Sequence, residues 1–150
     1  MNIKNRQPLS DMTDILRKAG LRPSPQRAAI AGYIDSSRCH PSAEEIYKAL
    51  VPDYPTLSLT TVYNTLYALE KAGLARILDI ESRNVRFDTA ATACHAHILC
   101  RGCGRIFDMP LPQNIEEHMP AGFHIDSVNL YFKGLCPSCI SAKFENETQQ

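Results

Sequence analysis

Four cysteines carry the clearest chemistry in the chain. They form two pairs, Cys100-Arg-Gly-Cys103 and Cys136-Pro-Ser-Cys139, with 32 residues between the pairs. Two intervening residues let both thiols of a pair reach one metal from a tight turn. Gly102 and Gly104 give the first pair that turn, and Pro137 suits the first turn of a helix at the second. Four thiolates with no open position make a closed structural zinc site. A redox dithiol would account for one pair but not for two. A disulfide framework belongs to oxidising compartments. Residues 1–10 are polar and lack the apolar stretch of a secretory signal. The expected setting is therefore the cytoplasm and the expected metal zinc. No apolar run is long enough to span a bilayer, so no membrane partner is expected. Cys39 and Cys94 are left without a role.

A second group of residues offers nitrogen and oxygen. His95-Ala-His97 opens a segment that reads as a strand, where residues two apart share a face, so both imidazoles can meet one ion. Asp88 and Asp108 stand at the ends of neighbouring strand-like segments, and His40 just before a helix. Imidazole and carboxylate without thiolate suit Fe(II), Mn(II) or Zn(II). Taken one at a time, His40 reads as a surface histidine and the two aspartates as solvated strand ends. His118 and His124 read as ordinary residues.

A third group could read DNA. In Leu59-Thr60-Thr61-Val62-Tyr63-Asn64-Thr65-Leu66 the apolar positions face a core, which leaves Thr60, Thr61, Tyr63 and Asn64 for a groove. Hydroxyls and amides bond phosphates and base edges, and Asn can read adenine with both ends of its amide. An isolated helix with a polar face is usually just packed on one side. Its surroundings decide the matter here.

Those surroundings are helical and then strand-like. Residues 11–19 read as a short amphipathic helix closed by Gly20. Pro25 opens a second helix to about residue 36. Ser42 and Glu45 have capping-box spacing for a third, to about residue 51. The fourth begins near Ser58 and ends at Gly73. Residues 74–87 alternate loosely about Ser82-Arg83-Asn84 and read as a hairpin. Helices followed by a two-stranded wing make a winged helix-turn-helix. Short strands follow at 95–101, 105–109 and 123–132, with helices at 111–119 and 136–143 and a loose tail after residue 145. The expected division is 1–88, a hinge at 89–94, and 95–150. The formal charge is zero overall, yet the first 27 residues hold six Lys and Arg against two Asp and Glu. That asymmetry puts any nucleic-acid face on the first half.

Taken together, these segments resemble the ferric uptake regulator family over nearly the whole chain, from about Asp11 to Cys139. The resemblance lies in Gly20-Leu-Arg22-Pro-Ser-Pro25-Gln-Arg27, His40-Pro-Ser-Ala-Glu-Glu-Ile-Tyr47 and Thr61-Val-Tyr63-Asn64-Thr65-Leu66. It continues in Arg86-Phe-Asp88, His95-Ala-His97 and Cys100-Arg-Gly-Cys103-Gly-Arg-Ile-Phe-Asp108. It implies an α+β protein: an N-terminal winged helix-turn-helix domain and a small C-terminal α/β dimerisation domain holding the four-cysteine zinc site. It implies a homodimer on a palindromic double-stranded DNA operator, with Arg22, Thr60, Thr61, Tyr63 and Asn64 on the DNA. It implies a regulatory Fe(II) or Mn(II) on His40, Asp88, His95, His97 and Asp108. Asp108 stands where iron sensors of the family often have Glu, and Asn64 where they have Arg, so the chain looks more like the peroxide-responsive repressors. Ala96 and Val128 stand where a further metal site of the family has ligands, and that site is not expected here. The expected function is a metal-dependent repressor that responds to peroxide through Fe(II)-catalysed histidine oxidation, with no small-molecule substrate. An iron-responsive repressor is the near alternative; a small non-haem iron enzyme or a zinc-stabilised adaptor are alternatives of other classes.

Overall fold

The computed structural model describes residues 9–37, 40–78, 85–90, 95–111, 120–124 and 128–147. The chain falls into two compact units, Met1–Thr92 and Ala93–Gln150.

The first unit opens with four helices: α1 (Leu9–Lys18), α2 (Pro25–Ser36), α3 (Ala43–Leu50) and α4 (Leu59–Lys71). Each of the last three begins on a serine that satisfies an orphan amide of the first turn. Ser24 accepts from the Arg27 N–H, Ser42 from Glu45 and Ser58 from Thr61. At α3 the bond is reciprocated, with the Ser42 N–H donating to Glu45 Oε2 at 2.7 Å, which completes the capping box. Helix α2 buries Ala28, Ala29, Ile30, Ala31, Gly32 and Ile34, and its small side chains let neighbouring elements close on it. Met12 and Leu16 of α1, Ile46 and Leu50 of α3, and Val62, Leu66 and Leu69 of α4 complete a common core at helical spacing.

Strands β1 (Ala75–Leu78) and β2 (Arg86–Thr89) follow as an antiparallel pair, Ala75 opposite Thr89 and Leu78 opposite Arg86. This is the wing; the expected turn at 82–84 lies outside the described residues. The wing is tied to the helices by Phe87, which is fully buried in the same core, and by backbone pairing with the segment before α3. The Phe87 N–H donates to Pro41 O at 3.1 Å, and Ser42 bridges Arg86.

The second unit holds a three-stranded sheet in the order β4-β3-β5, from β3 (Ala96–Cys100), β4 (Ile106–Met109) and β5 (Tyr131–Gly134). Strand β3 is central, antiparallel to β4 and parallel to β5. Helix α5 (Pro137–Glu147) ends the described chain.

Two expectations need correction. Of the strand foreseen at 123–132, residues 125–127 lie outside the described residues, and β5 covers Tyr131–Gly134. The register pairs His97 with Tyr131, and the Leu130 carbonyl still accepts from the His97 N–H at 3.0 Å just before the strand. Phe123 lies outside any strand and is 71% exposed. Helix α5 also runs past residues 143 and 145, where it was expected to stop and loosen. Nothing between Ser141 and Glu147 breaks a helix, since the stretch has neither Gly nor Pro. Leu111 is not helical, and the rest of the helix expected at 111–119 lies outside the described residues, as do hinge residues 91–94, Cys39, Cys94 and His118. Among the described residues, no helix is long and apolar enough to cross a membrane.

Phe87 is the large side chain that pins wing to helices, and its loss leaves a cavity on both sides. Phe87→Ala is expected to cost about 3–5 kcal/mol, measured by urea unfolding of the zinc-loaded protein. A cost under about 1 kcal/mol would mean that the wing is held by other means.

Candidate metal centres and nucleic-acid interface

The four sequence-predicted cysteines meet within the second unit. Their Sγ atoms all lie within 4.8 Å of one another. Cys103 and Cys136 Sγ are 3.9 Å apart. Tetrahedral zinc with Zn–S bonds near 2.3 Å sets its sulfurs about 3.8 Å apart. The spacing therefore fits zinc and is far too long for a disulfide. Two elements supply the pairs. Cys100 ends β3 and Cys103 follows in the turn to β4, while Cys136 precedes α5 and Cys139 lies in its first turn. The turn closes through Gly104 N–H to Cys100 O at 2.8 Å, with Gly104 at φ +69. Gly102 has a different reason to be glycine. A Cβ there would stand 2.8 Å from Cys139 Sγ and 2.9 Å from its Cβ.

The thiols differ in acidity. The Cys136 backbone N–H, 3.2 Å from Cys100 Sγ, leads the influences that bring the Cys100 thiol down to about 6. Arg105 Nε, 3.4 Å from Cys103 Sγ, leads those that lower Cys103. Cys139 is pushed up to about 12, chiefly by hydrogen bonding to the Cys136 thiol. Four sulfurs this close cannot all ionise on backbone amides and one guanidinium alone. A dication supplies the missing positive charge, so the donor set fits a metal as well as the spacing does.

Each unit also brings histidine and carboxylate together. In the second unit the β3–β4 register sets His97 opposite Asp108. Asp108 Oδ1 lies 3.3 Å from His95 Nε2 and 3.7 Å from His97 Nε2. The two rings are 4.6 Å apart, and the Tyr131 ring stacks on His97 at 5.8 Å. Two imidazole nitrogens and a carboxylate converge as strand alternation implies. Tyr131 gave no sign of itself in the sequence, because it arrives through the parallel β5 register.

In the first unit, His40 and Asp88 face each other with 3.7 Å between His40 Nε2 and Asp88 Oδ1. Both are buried, contrary to the surface reading that each invites alone. His40 has φ +47, a left-handed conformation that histidine tolerates better than most residues. That kink turns residues 40–42 onto β2, where the Phe87–Pro41 backbone bond and the Arg86–Glu45 ion pair (2.6 Å) hold them. Asp88 and His40 are thus brought together by one short antiparallel contact.

On α4, Thr60 and Asn64 are exposed, Thr61 and Tyr63 half-buried, and Arg22 is exposed ahead of α2. Thr61 Oγ1 is 2.8 Å from Ser58 Oγ, so its hydroxyl takes part in the helix cap. Tyr63 Oη donates to Glu44 Oε1 at 2.7 Å, a residue that sequence reasoning did not single out. This bond is the first cause of the lowered Glu44 carboxyl and of the Tyr63 phenol being pushed up to about 12.

The cramped turn at Gly102 gives a direct test of the thiol centre. Gly102→Ala must displace Cys139, so the purified variant should hold substoichiometric zinc and melt earlier than the parent, whereas Cys100→Ser or Cys136→Ser should lose zinc and the fold of this unit. Full zinc content in the alanine variant, with zinc released to a chelator at the parent rate, would overturn the packing argument.

Comparison with known proteins agrees with this organisation. The model of the ferric uptake regulator family matches residues 18–133. The peroxide-responsive repressor PerR of Staphylococcus aureus is 40% identical over 129 residues, covering 83% of this chain and 86% of that protein. Among solved structures, the ferric uptake regulator Fur of Helicobacter pylori, described with three functional metal-binding sites, is similar at TM-score 0.74 and 25% identity, covering 92% of this chain and 97% of that one. The ferric uptake regulator of Pseudomonas aeruginosa, solved with manganese, is similar at TM-score 0.69 and 30% identity, covering 84% and 98%. A winged helix-turn-helix unit and an α+β unit with a four-cysteine centre, matched by the family model across most of the chain, place this protein in the ferric uptake regulator family of metal-responsive transcriptional regulators.

Proposed function

We propose that this chain is a cytoplasmic, homodimeric repressor that holds a palindromic double-stranded DNA operator while its regulatory metal is bound, and that peroxide is its signal. The observation that carries this reading is the convergence of His95, His97 and Asp108 in one unit of a chain whose other unit presents a winged helix. Zinc on Cys100, Cys103, Cys136 and Cys139 holds the second unit together. Fe(II) or Mn(II) is assigned to His40, Asp88, His95, His97 and Asp108. The support for uniting those five is their match to the family motifs and the histidine–carboxylate pair that each unit presents. A metal shared by both units fixes the placement of each winged helix. A dimer needs that placement to match two half-sites.

Peroxide is favoured over iron level by two features. Asp108 replaces the Glu that iron sensors of the family often carry, and the chain is similar to the S. aureus peroxide-responsive repressor. Ferrous iron, when bound, supplies the electrons that reduce peroxide. His40 and His95 are the imidazoles assigned to accept one oxygen atom. The thiol centre is a poor sensor, because a closed set of metal-bound thiolates offers little access. The polar residues of α4 and the basic first segment supply base and phosphate contacts.

Two measurements test this reading. Operator binding is expected with Fe(II) and with Mn(II), but only the iron form should release DNA after a low dose of peroxide, with one added oxygen on a peptide containing His40 or His95 by mass spectrometry. Asp108→Glu should keep metal-dependent DNA binding and blunt the response. Unmodified histidines, with release tracking cysteine oxidation or iron removal, would leave an iron-responsive repressor instead. In the second measurement, Asn64→Ala should lower the preference for operator over random DNA by roughly 1–3 kcal/mol if the amide reads a base, and affinity should fall steeply with salt. A variant that discriminates as well as the parent would remove α4 from the groove.

A further inference from the structure

The Glu44–Tyr63 hydrogen bond sets a carboxylate on the face of the first unit assigned to DNA, where negative charge opposes binding. Glu44 stands in the first turn of α3, where its own amide and Ser42 also act on its carboxylate, but the capping box does not use it. The helix is already capped by Ser42 and Glu45, and Glu44 is only half-buried. What Glu44 does is hold a phenol. The Tyr63 ring stacks on Tyr67 at 6.4 Å; Tyr67 in turn meets Phe87 edge-on at 6.3 Å. That row anchors the ring to the core of the wing and leaves the hydroxyl direction open. Glu44 Oε1 at 2.7 Å closes it.

A phenol has one proton and two lone pairs. With its proton committed to Glu44, Tyr63 Oη can only accept. Phosphate oxygens are also acceptors, so they gain nothing from this group and are repelled by the carboxylate behind it. Adenine N6–H and cytosine N4–H are the donors that a major groove offers. We propose that Glu44 is a specificity-determining positioning residue, which fixes the Tyr63 hydroxyl as an acceptor for the amino edge of adenine or cytosine and denies that position to phosphate. This rests on α4 being the recognition helix. Glu44 itself touches no base; it acts through Tyr63. The lowered acidity of Tyr63 agrees with a proton held by Glu44.

The test uses the full-length, zinc- and Mn(II)-loaded protein and a duplex selected by it from a random library. Affinity for that duplex is compared with a scrambled duplex of equal length, for the parent, Glu44→Gln, Tyr63→Phe and the double variant. Zinc content and melting are checked for each. Glu44→Gln and Tyr63→Phe are each expected to lower the preference about tenfold. The double variant should lose no more than either alone, and Glu44→Gln should bind the scrambled duplex more tightly than the parent. Ultraviolet titration should show one tyrosine ionising at lower pH in Glu44→Gln, which a purely structural role would not produce. Glu44→Asp keeps the charge but shortens the reach, and should lose preference as Gln does; it serves if Glu44→Gln does not fold. An unchanged preference in the Glu44 variants, with Tyr63→Phe impaired, overturns the proposal and leaves the recognition helix in place. Multiplied losses in the double variant overturn it as well. Unchanged preference in Tyr63→Phe overturns both the proposal and the assignment of α4.

Discussion

Four sulfurs drawn within 4.8 Å of one another are the constraint on which the second unit depends. Its buried apolar side chains among the described residues are few: Ala96, Leu99 and Ile106, besides Cys100 and Cys136. The first unit, by contrast, buries sixteen of its described residues in one cluster. A unit of this size gains stability from a covalent or metal staple. The thiol cluster supplies it by joining the end of β3 to the start of α5. Arg101 N–H to Gly134 O at 2.7 Å and Cys136 N–H to Cys100 Sγ at 3.2 Å lie at that same end. The β3 register that aligns His97 with Asp108 and Tyr131 is thus fixed a few residues from the thiols. The thiol centre builds the frame on which His95, His97 and Asp108 are displayed.

The first unit reaches the same end without thiols. A strained His40, a capping box and a backbone bond to Phe87 bring His40 to Asp88. The strain is tolerated because several independent contacts hold the segment, including Glu45, whose Oε2 accepts both from the Ser42 N–H and from Arg86. A single glutamate therefore caps α3 and ties the wing strand to it. Any ion on His40 and Asp88 would sit on the seam between helix and wing.

What was legible in the sequence follows from how local each signal is. Ser24, Ser42 and Ser58 stand at their caps because capping is decided within four residues. The thiol centre was legible because two short pairs carry its whole ligand set. The His95–His97 face was legible because strands alternate. The partners that arrive through register or tertiary contact were not: Tyr131 on His97, Arg105 reaching back to Cys103, and Glu44, nineteen residues from Tyr63. The burial of His40 and Asp88 was hidden for the same reason, since it depends on a kink at His40 that no neighbouring residue announces. The misplaced start of β5 belongs here too. Residues 123–132 look strand-like in isolation, yet where β5 starts is set by its parallel register with β3, which a local pattern does not carry.

The two candidate centres differ in donors, and the difference divides their roles. Four thiolates saturate a tetrahedral ion, leave no position for an incoming oxidant, and bind through charge that the ion alone can neutralise. Such a site is suited to holding structure and ill suited to reporting on surroundings. Imidazoles and carboxylates bind less tightly, tolerate several divalent metals, and leave the choice to geometry and supply. A regulator needs the second kind of site to be emptied or altered without unfolding. That demands that the frame behind it be held by something else. The close succession in sequence of His97, Cys100, Cys103 and Asp108 fits this demand: the strand that presents the proposed regulatory ligands ends in a thiol of the four-cysteine cluster. A change at the histidines can then occur while β3 and its register stay in place.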